Sequence, residues 1–150
     1  MRKSLVLSVL LFIVSFGYAQ EDSAQVHQVI ISLFDGMRES DSAKVHASFR
    51  DDVKMYSSFK GKDGSQKLHA GSLVEFLTAI GTPHDKVWNE GLSNTIIQID
   101  GGIAQVWTDY TFHIGDELSH CGVDAFQLVK LDGAWKIIHL LDTRRRTGCE

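Results

Sequence analysis

Residues 102–144 hold three runs of alternating apolar and polar residues, separated only by Gly115-Asp116 and Asp132-Gly133. Two-residue turns of this composition join antiparallel strands directly, because glycine and aspartate accept the backbone such turns require. A further turn, Asp100-Gly101-Gly102, ties the run Thr95 to Ile99 to the front of this block. The second half of the chain therefore reads as an antiparallel meander in which each strand lies beside the next.

Ahead of the meander the period changes. Val26, Val29, Ile30, Leu33, Phe34 and Met37 follow one face of a helix over residues 22–38, with Asp22 or Ser23 as its cap. Asp41 starts a short second helix. Residues 53–59 read as a strand with Val53, Met55 and Ser57 on one face and Lys54, Tyr56 and Ser58 on the other. Residues 61–65 turn it, and residues 66–69 run back. Ser72 and Glu75 form a capping box for a third helix over residues 73–80, stopped by Gly81 and Pro83. Helices first and an antiparallel sheet afterwards make an α+β domain over residues 20–150. A long twisted sheet curls, and the helices then close one side of it into a cone-shaped barrel.

Residues 1–19 stand apart from this pattern. Arg2 and Lys3 precede an apolar stretch from Leu5 to Phe16, and Gly17 and Ala19 supply small residues for cleavage after Ala19. The pattern is that of a secretory signal peptide. It predicts a secreted or periplasmic protein with no membrane segment once the leader is removed. Losing Arg2 and Lys3 takes the formal charge from -4 to -6. A mildly acidic chain without a basic stripe argues against nucleic acid as a partner. Export makes a disulfide between Cys121 and Cys149 possible, worth about 3.5 kcal/mol on the chain-entropy model, against a free buried Cys121 and a loose Cys149. No cysteine and histidine spacing suggests a metal site, and no motif suggests a cofactor.

Unbroken two-residue hairpins fix which residues share a face. With Ile114 opposite Glu117 and Leu131 opposite Ala134, one face collects Trp107, Asp109, Thr111, His120, Asp124, Phe126, Trp135, Ile137, His139 and Leu141. The other collects Val106, Tyr110, Phe112, Cys121, Val123, Ala125, Ile138, Leu140, Asp142 and Arg144. One bulge would exchange the sets beyond it. On this register the first face, covered by the helices, is an apolar pocket with convergent polar groups. His120, Asp124 and Asp109 are its candidate catalytic residues, and Trp107, Phe126, His139 and Tyr56 its candidate ligand contacts. Trp135 is a packing residue, and Asp142 with Arg144 a structural or rim pair. The second face presents an apolar patch, Val106, Tyr110, Phe112, Val123 and Leu140, large enough to need a partner.

The order of elements, the ending GAWKIIHLLDTRRRTGC and the preceding HCGVDAFQLVK resemble the nuclear transport factor 2-like superfamily, in particular its exported lumazine-binding and polyketide-cyclase-like branch. The resemblance spans nearly all of residues 22–149. It implies a cone-shaped α+β barrel with a cavity at the wide end, and homodimers paired through the sheet. It also implies a small, partly apolar ligand and cofactor-free proton transfer by pocket Asp or His-Asp groups, as in the isomerases, dehydratases and cyclases of this fold. Isomerase-type members place an Asp on the strand after the second helix. Here the stretch DDVKMYSS puts Ser57 at that place, which counts against a steroid-isomerase mechanism. The reading from sequence is thus an exported small-molecule-binding domain, with isomerisation, dehydration or cyclisation as the chemistry open to it. A non-catalytic binding or dimerisation module is the alternative, because one fold hosts many functions.

Overall fold

Each of the three C-terminal hairpins forms where its turn residues stand. In the computed structural model, which describes the backbone of residues 2–149 and the side chains of residues 20–149, Gly101, Gly115, Asp132 and Gly133 all take the left-handed backbone. The chain runs α1 (Arg2–Glu39), α2 (Ser42–Ala47), β1 (Phe49–Lys60), β2 (Gln66–Gly71), α3 (Leu73–Gly81), β3 (Trp88–Asp100), β4 (Ile103–Ile114), β5 (Glu117–Leu131) and β6 (Ala134–Arg144). The side chains of the expected leader lie outside the described residues. Among the described residues no helix is long and apolar enough to cross a bilayer.

The strands form one six-stranded sheet in the order β2-β1-β6-β5-β4-β3. All neighbours are antiparallel except β1 and β6, which the helical N-terminal half brings side by side in parallel. The α+β class holds. The sheet is curved rather than closed, since β2 and β3 remain its two edges.

The helical starts follow their caps. Asp41 Oδ1 accepts from Lys44 N at 2.9 Å, and Ser72 Oγ accepts from Glu75 N at 3.5 Å. Asp22 does not cap α1, which continues through it. Its carboxylate instead binds the Lys130 ammonium and accepts from Trp135 Nε1 at 3.2 Å, anchoring the helix to β5 and β6. Val26, Ile30, Leu33, Phe34 and Met37 then lie against Ala104, Val106, Phe126, Leu128, Trp135 and Ile137 on the concave face. Phe126, Leu128 and Ile137 are fully buried, and each such side chain contributes roughly 2 kcal/mol.

The register departs from unbroken hairpins at three bulges. Between β4 and β5, Ile114 faces Glu117 and His113 faces Leu118, as the turn dictates. Phe112 then faces His120, so Ser119 is an extra residue. Between β5 and β6, Leu128 faces Ile137 while Gln127 faces His139, leaving Ile138 unpaired. Between β3 and β4 the shift falls after Ser93, where Asn94 takes a left-handed backbone and its amide donates to Asp109 Oδ2 at 2.8 Å.

These bulges correct the face assignment. Beyond Ser119 the partner of Asp124 is Thr108 rather than Trp107, so Val106, Thr108, Tyr110 and Phe112 turn inward and Trp107 and Asp109 turn outward. Beyond Ile138 the partner of Asp124 is Asp142 rather than Leu141, so Asp142 turns inward with it and His139 turns outward. The expected outer patch of Val106, Tyr110, Phe112, Val123 and Leu140 does not exist. Val106, Tyr110 and Phe112 are core residues, and Leu140 packs against them.

A cavity with a carboxylate-rich end

Between α1, α3 and the concave face lies a cavity of about 590 Å³. Phe34, Phe76, Trp88, Phe112 and Phe126 are among its apolar walls. Its polar end collects Glu90 from β3, Tyr110 from β4, His120 and Asp124 from β5, and Asp142 and Arg144 from β6. Four neighbouring strands and the bulges at Ser119 and Ile138 bring these groups together, because the inward positions of β4 and β6 beyond a bulge come from the set that unbroken hairpins assign to the far side.

Of the seven residues that the sequence puts forward, His120, Asp124, Phe126 and Tyr56 line this cavity. Tyr56 borders it, with its ring 5.8 Å from that of His139. Trp107 is 54% exposed on the convex face. Asp109 is held there by Asn94, and His139 sits beside Tyr56, so none of these three belongs to the lining. Asp142 and Arg144, assigned from sequence to the opposite face, are lining residues. Glu90 is not singled out by any motif. Its signal is the alternation Trp88, Glu90, Leu92, which places a carboxylate on the same face as two large apolar side chains.

The polar end is internally ordered. Asp142 accepts from the Ser57 hydroxyl and, at 2.8 Å, from Arg144 Nε. Ser57 stands opposite Asp142 in the parallel β1–β6 pair, so the serine at the position of the isomerase-type aspartate supports a carboxylate instead of supplying one. The Tyr110 hydroxyl donates to the Thr143 carbonyl at 2.8 Å. Burial, reinforced by the nearby Asp142, Asp124 and Glu90 charges, pushes the Tyr110 phenol far up, so it remains a hydrogen-bond donor at any ordinary pH. His120 Nδ1 lies 3.1 Å from Ser119 Oγ, and its ring packs tilted on Phe112 at 5.0 Å. Its structural partner is therefore Ser119 rather than Asp124. Burial and the Arg144 guanidinium hold His120 below its ordinary pKa, Asp142 opposing them, so the imidazole is neutral near pH 7 and able to accept a proton.

Glu90 and Asp124 lie close enough at this end for each to bear on the other's charge. Burial pushes Asp124 well above the usual carboxylate range, and the Glu90 and Asp142 charges push it further. Burial likewise raises Glu90 to about 7. Two carboxyl groups side by side in an apolar surround cannot both ionise cheaply, so the pair retains a proton near neutrality. Asp124 Oδ2 is buried and has no donor while both groups are charged. Among the described residues, no group of three or more His, Cys, Asp or Glu side chains is arranged to hold a metal ion.

The raised Glu90 pKa has a thermodynamic consequence. The folded state binds this proton more tightly than the unfolded chain, so its stabilising contribution is full below about pH 4.5 and is lost as pH rises through about 7. The lowered His120 works in the opposite sense, weakening the fold as pH falls through its ordinary value. Urea titrations of wild type and Glu90→Gln across pH 5 to 8.5 report on the Glu90–Asp124 carboxyl pair, since His120 is common to both. The wild type should lose stability relative to the variant as pH rises, and parallel curves would contradict a proton held on Glu90.

Sequence and structural comparisons agree with this architecture. Residues 21–140 match the family described as "Putative lumazine-binding". An NTF2-like protein of unknown function from Shewanella baltica superposes with a TM-score of 0.66 at 19% identity, covering 87% of this chain and 98% of that one. An NTF2-like protein with a cystatin-like fold from Novosphingobium aromaticivorans gives 0.72 at 8% identity, covering 91% and 90%. A Mycobacterium tuberculosis protein of unknown function gives 0.71 at 13% identity, covering 89% and 77%. Among curated proteins none matches the sequence significantly.

Proposed function

The chain belongs to the family described as "Putative lumazine-binding", in the nuclear transport factor 2-like superfamily, and from that premise we propose that it is an exported protein which binds a small, partly apolar molecule in its sheet-lined cavity. The observation that carries this reading is the cavity of about 590 Å³, with largely apolar walls and a cluster of polar groups at one end. That volume and distribution suit one small molecule held by shape along its body and by hydrogen bonds at one edge. The leader-like residues 1–19 and the Cys121–Cys149 disulfide both favour an oxidising compartment outside the cytosol.

The chemistry open to such a site is proton transfer without a cofactor. Neutral His120 is the base, and the carboxyl pair Glu90–Asp124 is the acid that holds and returns a proton. Isomerisation, dehydration and cyclisation can each use that pairing. Native mass spectrometry of the mature protein should reveal a co-purified small molecule that leaves on denaturation. His120→Ala and Asp124→Ala should each weaken its retention and abolish any turnover of it. If both variants bind and turn over as the wild type does, the assignment of these residues is wrong. A bound molecule that neither protein converts favours the non-catalytic binding module.

A homodimer through the sheet is part of the same reading, on a different surface from the expected one. Across the convex face, Ile96, Trp107, Ala125 and Leu141 form one row in register from β3 to β6. Ile96 and Trp107 are 60% and 54% exposed. The neighbouring row, Gln98, Gln105, Gln127, His139 and Lys54, is polar. An apolar stripe with a polar flank pairs with its own copy about a two-fold axis. Trp107→Glu should convert a dimer to a monomer in sedimentation while leaving the circular dichroism spectrum intact. A wild type that sediments as a monomer at high concentration would remove the dimer.

A further inference from the structure

We propose that the carboxylate-rich end of the cavity is built for the positive end of an organic monocation, an alkylammonium or protonated amine on an apolar body. This rests on the cavity being a small-molecule site and adds the charge of its occupant. Three carboxyl groups, Glu90, Asp124 and Asp142, meet there with one guanidinium, Arg144. Arg144 donates to Asp142 at 2.8 Å, and these two charges satisfy each other. Glu90 and Asp124 are left with no cation of their own. Asp124, a lining residue, is only 4% exposed, and its buried Oδ2 has no donor. An unpaired buried acceptor of this kind is costly unless something donates to it.

In the empty protein a shared proton meets that need. An ammonium group supplies the same charge and more donors, so it can take the proton's place, with the carboxyl proton leaving to solvent as the cation binds. Atoms and charge balance: one proton departs for each monocation held by a pair that carries the shared proton, and none where the pair has already lost it. The walls suit the rest of such a ligand, because Trp88, Tyr110, Phe112 and Phe126 present aromatic surface beside the carboxyls, which attracts a cation further. An anionic ligand would meet three carboxyl groups against the single guanidinium of Arg144, whose Nε already donates to Asp142. A metal ion lacks a converging ligand set among the described residues.

The other ionisable groups bearing on Glu90 and Asp124 are Asp142 and Arg144 from β6, Tyr110 from β4 and His120 from β5, with His69 from β2 and Glu75 from α3 on the same lining. His120 is uncharged near neutrality and Tyr110 remains protonated. The carboxyl pair is therefore the group whose protonation a bound cation changes.

The test uses three probes with one aromatic body and different charge: 2-phenylethylamine, phenylacetamide and phenylacetate. Isothermal titration calorimetry of the mature wild type near pH 7.5 should give the amine the lowest Kd, by roughly tenfold over the other two, or about 1.4 kcal/mol. Titration near pH 6.5 in buffers of different ionisation heat should show proton release with the amine and none with the amide. Affinity for the amine should fall as the pH is lowered through the range where the pair regains its proton. Glu90→Gln, close in shape to the native residue, should lose the preference for the amine while still binding phenylacetamide. Tightest binding of phenylacetate would overturn the proposal, as would equal affinities without proton release, or a Glu90→Gln variant that keeps the preference. Equal binding of all three probes leaves the cavity as a small-molecule site and removes only the cation. Failure of all three at millimolar concentration, together with no co-purified molecule, removes both.

Discussion

Gly122→Ala should cost about 4 kcal/mol and yield little folded protein, an effect far larger than one methyl group in an ordinary strand would have. A Cβ at position 122 would lie 1.7 Å from the Thr143 carbonyl oxygen and 2.8 Å from the Tyr110 ring. The first obstacle is backbone and cannot swing aside as a side chain would. Thr143 sits there because the end of β6 runs beside β5, with Arg145 paired to Cys121. Its carbonyl accepts from the Tyr110 hydroxyl, while its own hydroxyl accepts from Val123 N at 3.0 Å. Moving Thr143 away from a new methyl group would therefore break the Tyr110 bond and shift Asp142 and Arg144, its neighbours on either side. Thermal melts and soluble yield measure the stability loss. Any folded remainder should bind the cavity ligand poorly. A variant with wild-type melting would mean that β6 does not pass this close to β5.

The same pairing of β5 with β6 shows how far the sequence alone could lead. The three hairpins, the caps at Asp41 and Ser72 and the α+β order are local features, set by residues a few positions apart, and they were legible. The faces beyond the bulges were not derivable from turn geometry. Yet the apolar pattern carried a warning. In β4 the alternation Ala104, Val106, Tyr110, Phe112 marks the even positions as inward, and in β5 Phe126 and Leu128 do the same. A two-residue turn at Gly115-Asp116 pairs even positions with odd ones, so both strands cannot bury their apolar sets unless one residue is inserted between them. Ser119 is that residue. The requirement for a bulge was thus present in the sequence, whereas its position was not, because it depends on how β5 bends to meet β6. His120 and Asp124 were found because they lie on the strand that keeps its expected face. Asp142, Arg144 and Glu90 were missed because the first two lie beyond a bulge and the third carries no motif.

Cys149→Ser should cost about 3.5 kcal/mol in urea denaturation, the closure entropy of the loop that Cys121 and Cys149 pin. Reduction of the wild type should cost a similar amount. The disulfide also acts on the cavity. Cys121 lies between His120 and Gly122 and exchanges two backbone hydrogen bonds with Arg145, each 2.9 Å. The sulfur bridge holds the chain just beyond Arg145, and so fixes Arg146, one of the charges that keep His120 below its ordinary pKa. With the bridge gone the backbone pair at Arg145 remains, but the residues after it are free to move away from β5. His120 should then titrate closer to its ordinary value, with Arg144 still holding it partly down, and a 1H–15N titration of the imidazole would register the upward shift. An unchanged His120 midpoint in Cys149→Ser would mean that Arg146 stays in place without the bridge. The disulfide would then support the fold alone, leaving the basicity of His120 to burial and Arg144.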